Sequence, residues 1–167
     1  MALLKNLLRK APESQNEVLQ LHLQNVPVDV EALAYDLGLN LKCEDLPDDI
    51  AGKLERDWMA PAGFRITVDS SDGHRRKRFT IAHEIAHYML HRDLLPEEGV
   101  TDSALYRSSL SDDMERHANR FAAQILLPAD KVREAYRSEK SLAALSRIFD
   151  VSDAALRIRL RELRLGA

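Results

Sequence analysis

The spacing of apolar residues in the first part of the chain predicts three helices. Residues 2–10 and 13–25 both repeat apolar side chains at a helical period, and Pro12 divides them. Asp29 has the side chain of a helix N-cap, and the apolar pattern that follows it ends at Gly38. The chain is therefore expected to begin with helices.

A short sheet is predicted next. The segment 39–43 alternates apolar and polar residues, which is typical of a strand with one buried face. Segments 50–55 and 64–68 flank the turn residues 60–63 and predict a hairpin. Residues 70–73, which are small or polar, end a sheet that we expect to be antiparallel or mixed.

Two buried helices are predicted in the second half. Residues 78–91 contain no Gly or Pro and are apolar on most of their circumference, as a helix in a core requires. Residues 111–113 are a helix-start signal, after which apolar residues recur at helical spacing until Pro128. A loop over residues 93–110 separates the two helices and includes a predicted edge strand near 104–108.

The end of the sequence has a helix-turn-helix pattern. Residues 142–149 and 153–163 have helical spacing, residues 150–152 form the turn, and Ser152 is a natural N-cap. Four arginines of the second helix are expected either to bind phosphate or to form the solvent-exposed surface around the helix's leucines. They are Arg157, Arg159, Arg161 and Arg164. Because only one such unit is present and the net charge is −3, we favour packing or repressor recognition over DNA binding.

Composition limits the class of protein. A chain of 167 residues can bury one real core. The lone Cys43 excludes an internal disulfide, which suits a reducing cytoplasm. The sequence has neither a secretory signal nor an apolar run of about 18 residues, so export and membrane insertion are not expected. We predict a cytoplasmic location.

Charge is unevenly distributed. Residues 44–57 carry six acids and two bases, whereas residues 74–78 read His-Arg-Arg-Lys-Arg. These bases open the predicted buried helix, where the helix dipole is already positive, so helix stability alone does not explain them. Either they form a solvated loop and first turn, which we favour, or they guide an acidic substrate segment or contact phosphate.

The buried helix contains the pattern His-Glu-x-x-His. His83 and His87 lie about 40° apart around the helix and about 6 Å apart along its axis, so both imidazoles can reach one metal ion. Glu84 falls beside this site, placed to act as a general base on a metal-bound water. The alternative is a buried helix whose histidines only hydrogen-bond to neighbours. For a single histidine that interpretation would be preferred, but it fits His83, Glu84 and His87 together less well than a metal site does.

A catalytic zinc usually has three protein ligands, so a third must follow along the chain. His91 is about 12 Å along the axis from the first histidine, too far to share the ion comfortably, and is expected near a ligand or at the surface. Asp93 would need a glycine bend where Leu90 stands. His117 remains an alternative, and Glu115 is the preferred ligand.

Glu115 is preferred because of the helix face on which it stands. Glu115, Ala118 and Ala122 share one face, and the small alanines permit close approach to the histidine helix. Asn119, one turn later, is placed to accept a hydrogen bond from His83. The alternative is a solvated first-turn carboxylate that the helix dipole stabilises.

The loop before this helix bears on substrate binding. Extended peptides often bind by adding a strand to an exposed sheet edge, so we expect a substrate at the predicted strand near 104–108. Tyr106, Arg107 and His91 are candidates for stabilising the oxyanion, and each is otherwise a surface residue.

Two segments carry a family resemblance: RFTIAHEIAHYMLH over residues 78–91 and ERHANRFAAQILLP over residues 115–128. In order and separation they resemble the ImmA/IrrE family of intracellular metallopeptidases, and a weaker likeness extends to the N-terminal segments VPVDVEALAYDLGLNL and DDIAGKL. Two positions depart from the usual pattern. His117 replaces a second glutamate, and Ala86 stands where glycine is frequent.

The resemblance implies a zinc peptidase. His83, His87 and Glu115 would be the zinc ligands and Glu84 the catalytic base, and manganese, iron or cobalt suit the same ligands. It also implies a protein substrate, namely a helix-turn-helix repressor of the XRE type from a phage, mobile element or stress regulon. The alternatives are a non-cleaving module that binds a repressor or DNA, and the toxin of a toxin–antitoxin pair.

The elements and the resemblance together predict an α+β fold: a mostly helical, zincin-like minimal peptidase domain with a small sheet. This domain would span residues 1–137, with helices over 1–38, the sheet over 39–69 and the active-site helices over 74–128. A helix-turn-helix-like segment, residues 138–167, would pack on it or be appended to it.

Overall fold

The computed structural model describes residues 12–94, 100–101 and 109–166. The elements within them are α1 (Glu13–His22), α2 (Val30–Asp36), β1 (Asn40–Glu44), β2 (Gly52–Arg56), β3 (Phe64–Asp69), α3 (His74–His91), a 3₁₀ turn (Arg92–Leu94), β4 (Val100–Thr101), α4 (Ser109–Leu126), α5 (Ala129–Ser138), α6 (Leu142–Phe149) and α7 (Asp153–Glu162). The prediction of a mostly helical α+β fold is confirmed. The predicted helix over 2–10 and the predicted strand near 104–108 lie outside the described residues.

Local signals explain the ends of the first helices. Pro12 precedes α1, which ends at His22, three residues earlier than its apolar pattern. The Asp29 side chain caps α2 by accepting a hydrogen bond from the Ala32 N–H at 2.9 Å. Gly38 then adopts a φ of 79°, a left-handed conformation that glycine enters without strain.

The sheet is mixed, with the strand order β1-β3-β2-β4. β2 and β3 form the predicted antiparallel hairpin, with Leu54 opposite Ile66. β1 pairs with β3 in parallel, and β4 pairs with β2 in the antiparallel sense, with Val100 opposite Leu54. β1 and β4 are therefore the two edges among the described strands.

Helix α3 lies against one face of this sheet. Leu54 and Ile66 are fully buried in the same hydrophobic cluster as Ile85 of α3. At Gly52, β2 comes so close to the helix that an added Cβ would lie 2.3 Å from Cγ2 of Thr80. Only a residue without a side chain fits between strand and helix at this point.

Helix α4 packs along α3 through small side chains. Ala82 and Ala86 of α3 and Ala118 and Ala122 of α4 are all fully buried. The distance between packed helices depends on the side chains at their contact, so alanines bring the two axes close together. α4 begins at Ser109, two residues before the predicted start.

Helix α5 has no counterpart among the predicted elements. It follows Pro128, which occupies its N-cap, and buries Val132 completely. Ala135 and Tyr136 pack against the same core. Their spacing of three and four residues from Val132 is a helical signal that the sequence does contain.

Helices α6 and α7 form the predicted helix-turn-helix pattern. The Ser152 side chain caps α7 by accepting a hydrogen bond from the Ala155 N–H at 3.2 Å. Leu145, Phe149 and Leu156 are buried in the hydrophobic cluster that also contains residues of α3 and α4. The two helices therefore share a core with the helices that precede them. No helix in the described part of the chain is long and apolar enough to cross a membrane.

Arg159 departs from its predicted role. It lies three residues after Leu156, on the face of α7 that meets the core, and is 8% exposed. Its Nε donates to the carbonyl of Leu127, just after α4, at 3.0 Å. The prediction that this arginine meets phosphate or solvent is therefore wrong, because its guanidinium is occupied by the protein. The other three arginines of the set are exposed: Arg157, Arg161 and Arg164.

The basic residues 74–78 form the first turns of α3, where the first three of them are exposed. Three of the five basic residues surround Asp150 in the turn between α6 and α7. Nitrogen atoms of His74, Arg75 and Arg78 lie 2.6, 3.3 and 3.3 Å from its carboxylate oxygens. These contacts join the start of α3 to the C-terminal helices. The first turn is solvated, as in the preferred interpretation, except that the Arg78 side chain is largely buried.

Candidate metal centre

His83 and His87 stand one helical turn apart on α3, and both are buried, with exposures of 6% and 2%. Their Nε2 atoms lie 3.0 Å apart. The rings meet edge to face, with centroids 4.6 Å apart. The spacing of four residues thus delivers two ring nitrogens to one point in the interior.

Glu115 reaches the same point from α4. Its Oε2 lies 3.2 Å from Nε2 of His83, and its Oε1 lies 3.0 Å from Nε2 of His87. Metal-ligating atoms of these three residues all lie within 4.8 Å of one another, and the described residues contain no second group of this kind. His83, His87 and Glu115 could hold a metal ion, and we call them the metal-binding group for that reason.

Glu115 is ionised in this setting. Burial raises the pKa of its carboxyl, but hydrogen bonds and charge attraction from His83 and His87 outweigh this effect and lower the pKa to about 2. At neutral pH a carboxylate therefore faces the two imidazoles.

Asn119 determines how the His83 ring is protonated. The Asn119 Oδ1 lies 3.1 Å from Nδ1 of His83. Because an amide oxygen can only accept, His83 donates from Nδ1, and the lone pair of the neutral ring is then on Nε2. The structure thus brings Asn119 to the ring nitrogen that points away from Glu115.

The metal-binding group fits a divalent ion. Nε2 of His83 and the Glu115 carboxylate lie 3.2 Å apart, a separation that either a proton on the ring or a divalent cation must bridge. Ligand atoms around a tetrahedral zinc ion, with bonds of about 2.05 Å, are spaced by roughly 3.3 Å. The three separations observed here are 3.0, 3.0 and 3.2 Å. The donor atoms are therefore already close to the spacing that zinc requires.

Glu84 is buried beside the metal-binding group and is 3% exposed. A Cβ added to Gly52 would lie 3.6 Å from its Oε1, so the first residue of β2 forms part of its surroundings. Glu84 does not belong to the group of converging ligand atoms. The centre therefore has one carboxylate within the metal-binding group and a second beside it.

His91 and His117 continue the row of imidazoles away from the centre. Nδ1 of His91 lies 3.3 Å from Nδ1 of His87, and His91 is 7% exposed. The His117 ring stacks on His91 with centroids 6.4 Å apart. His91 therefore lies behind His87, which agrees with a place near a ligand and not with a surface position.

The other predicted oxyanion contacts, Tyr106 and Arg107, lie outside the described residues. Their role stays a prediction. For His91, contact with the far side of the His87 ring gives no support to a direct substrate contact.

A pocket of about 220 Å³ adjoins the metal-binding group. Its walls are Ala51, Arg76, Phe79, Thr80, His83, Glu115 and Asn119. Arg76 belongs to the basic run 74–78, for which guiding an acidic substrate segment is one of the predicted roles, whereas Phe79 is not among the predicted site residues. Arg76 and Phe79 precede His83 by seven and four residues, so the helical spacing places all three on one face of α3 and is the signal that identifies them.

Comparison with known proteins identifies a matching family and several similar solved structures. The family model of IrrE N-terminal-like peptidase domains matches residues 43–161, well over half of the chain. The structure of a Mycobacterium tuberculosis transcriptional regulator has a TM-score of 0.58 and 18% identity, over 91% of this chain and 48% of that chain. At this identity the likeness shows the fold alone, and our chain spans about half the length of that relative. The curated proteins contain no match.

The family match covers the part of the chain that forms the centre. Both helices of the metal-binding group, α3 and α4, lie inside residues 43–161. The same stretch contains both segments on which the sequence resemblance depends. This chain therefore belongs to the family of peptidases with an IrrE N-terminal-like domain, as its two motif segments predict.

Proposed function

We propose that this chain is a zinc-dependent endopeptidase that cleaves an intracellular protein. The observation that carries the proposal is the convergence of His83, His87 and Glu115, with ligand atoms 3.0 to 3.2 Å apart. Membership of a peptidase family supports hydrolysis of a peptide bond as the reaction. The buried carboxylate of Glu84 beside the group speaks against a purely structural metal site, which has no use for a base.

Each residue of the centre has a separate task in this proposal. The metal-binding group would hold zinc, which supplies Lewis acidity at the scissile carbonyl. The Glu84 carboxylate takes a proton from the attacking water and later delivers it to the leaving amine. Asn119 keeps the His83 lone pair on Nε2 by accepting from Nδ1. Manganese, iron and cobalt suit the same donor set as zinc.

The proposed substrate is a helix-turn-helix repressor of the XRE type. Support comes from the resemblance of the two motif segments to the ImmA/IrrE family. The structural relative is itself named a transcriptional regulator. An extended segment of the repressor would add to the sheet edge at β4, whose neighbour β2 follows Ala51 of the pocket wall.

Incubation with XRE-type helix-turn-helix repressors from the same genome tests the proposal. Zinc-loaded protein should cut one of these repressors, and a chelator should stop the cleavage. Glu84→Gln should keep zinc but lose cleavage, whereas His83→Ala should lose both. Binding without cleavage by zinc-loaded wild type would refute the peptidase proposal in favour of a sequestering module.

A further inference from the structure

The pocket beside the metal-binding group carries a positive charge that the proposed reaction does not use. Arg76 lies in the first turn of α3, lines the pocket together with Phe79, and has a side chain that is 68% exposed. Arg76, Thr80 and His83 follow one another at spacings of four and three residues. They therefore form one row on α3 that leads to the metal-binding group.

The guanidinium of Arg76 is only partly engaged. Its Nε lies 2.9 Å from the carboxylate of Asp72, four residues earlier. Within the described part of the chain, no hydrogen bond or ion pair uses its two terminal nitrogens. Exposed pairs of this kind are weak, so the guanidinium can share its charge with a second carboxylate.

The other bases of the cluster have different partners. His74, Arg75 and Arg78 surround Asp150. The Lys77 ammonium donates to the carbonyl of Ser70 at 2.7 Å. Of the five basic residues at the start of α3, Arg76 alone lines the pocket.

The pocket offers little opposition to an acidic side chain. Glu115 is the one carboxylate in its wall, and two imidazoles and the proposed metal ion compensate its charge. The first turn of α3 contains no acidic residue, so the helix dipole adds to the positive potential there. Phe79, 36% exposed, supplies an apolar surface for the stem of the same side chain.

We propose that Arg76 selects an acidic substrate residue, Asp or Glu, close to the bond that is cut. Arg76 and His83 are about 10 Å apart along the helix axis, and an extended peptide rises about 3.3 Å per residue. The acidic residue would therefore lie within about three positions of the scissile bond. This inference rests on the proposed peptidase function and adds a substrate preference to it.

A peptide library tests the preference. Zinc-loaded wild type should release products in which Asp or Glu is enriched at one position within three residues of the cut. In a peptide pair that differs only by Glu or Gln at that position, kcat/KM should be about tenfold higher for Glu. Arg76→Gln should remove the difference, and Arg76→Glu should favour Lys there.

Arg116→Gln is the matched control. Arg116 is 67% exposed and pairs with Asp113 one turn earlier, much as Arg76 pairs with Asp72, but it does not line the pocket. This variant should keep the full preference for Glu. An Arg76→Gln variant that cuts both peptides more slowly but retains the preference would overturn the inference.

Binding to the inactive Glu84→Gln variant separates this inference from the proposed function. Library peptides retained by the zinc-loaded variant can be compared by fluorescence anisotropy as Glu and Gln versions. The Glu version should bind about tenfold more tightly, and a second change, Arg76→Gln, should make the two alike. That result without cleavage by wild type would refute the peptidase and leave the pocket preference standing. Cleavage by wild type without a preference for acidic residues would refute the role of Arg76 and leave the peptidase function standing.

Discussion

The two ends of α3 are held in different ways. Its start, residues 74–78, is largely exposed and is held by ion pairs, above all those that His74, Arg75 and Arg78 make with Asp150. Its second half is buried from Thr80 to Met89 and is held by packing and by contacts among imidazoles.

This difference separates stability from chemistry along one helix. None of His74, Arg75 and Arg78 lines the pocket, so changes to these three residues should act on the free energy of unfolding, and only modestly, because exposed ion pairs are screened by water. Buried polar groups have strict geometry, so changes in the second half should act on the metal-binding group and on turnover. Four predictions test this division, from the largest expected effect to the smallest.

Replacement of Glu84 by Gln should have the largest effect on turnover. The amide cannot accept the proton from water, so kcat should fall by roughly 10²- to 10⁴-fold. Zinc content, measured by elemental analysis after gel filtration, should stay as in wild type. Loss of zinc as complete as in His83→Ala would show that Glu84 is a ligand and that the roles assigned to the buried half are wrong.

Replacement of Gly52 by Ala should disturb α3 at Thr80, where the exposed start of the helix gives way to its buried part. The added Cβ would lie 2.3 Å from Cγ2 of Thr80 and 3.1 Å from the carbonyl of Thr67. Strand and helix must move apart, at a cost of about 1–3 kcal/mol in the free energy of unfolding, measured with urea.

A second change supplies the control for this clash. Thr80→Ser removes the methyl group that the new Cβ meets, so the double variant should recover part of the lost stability. Strictly additive effects of the two changes would show that the clash is not the cause.

Replacement of Asp150 by Asn should lower stability without lowering kcat. Asp150 has a φ of 50°, a conformation that Asn tolerates well, so this change removes the charge and leaves the turn intact. We expect a loss of about 1 kcal/mol in urea unfolding. A large fall in kcat well below the melting temperature would mean that the start of α3 also controls the chemistry.

The pH dependence of the stability loss caused by Asp150→Asn is the smallest of the expected effects. Burial raises the pKa of the Asp150 carboxyl, but hydrogen bonds from His74 and Arg75 and the charge of Arg78 outweigh it and hold the pKa below its ordinary value of 3.8. A pKa that folding lowers contributes stability above the unfolded value, and this contribution disappears as pH falls through the folded pKa.

The measurement is cleanest in a His74→Gln background, where only arginines face Asp150 and stay charged throughout. The loss of unfolding free energy that Asp150→Asn causes in this background should be constant above about pH 5 and shrink toward about pH 3. A loss that grows as pH falls would have the wrong sign for an ion pair.

Local chemistry made much of this structure predictable. The caps at Asp29 and Ser152 act within three residues, and the helical spacing of His83 and His87 follows from helix geometry alone. Glu115 was harder to predict because it comes from another helix. Its alanine neighbours nevertheless indicated which face of α4 meets α3.

Contacts between distant parts of the chain were not predictable in this way. Nothing in the basic run 74–78 identifies Asp150 as its partner, because the two are more than 70 residues apart in sequence. The parallel pairing of β1 with β3 likewise depends on the whole chain. In the sequence Arg159 cannot be distinguished from the neighbouring arginines of α7, which are exposed. Only the packing of the helix shows that Arg159 is buried.

The hydrogen bond from Arg159 to Leu127 has a consequence for shorter versions of the protein. The carbonyl that accepts it closes the far end of the helix that bears Glu115. A fragment ending at residue 137 would keep every proposed ligand and the base. Such a fragment would nonetheless lack the Arg159 guanidinium at the end of α4 and the buried side chains of α6 and α7. Its stability and activity would therefore not represent those of the intact chain.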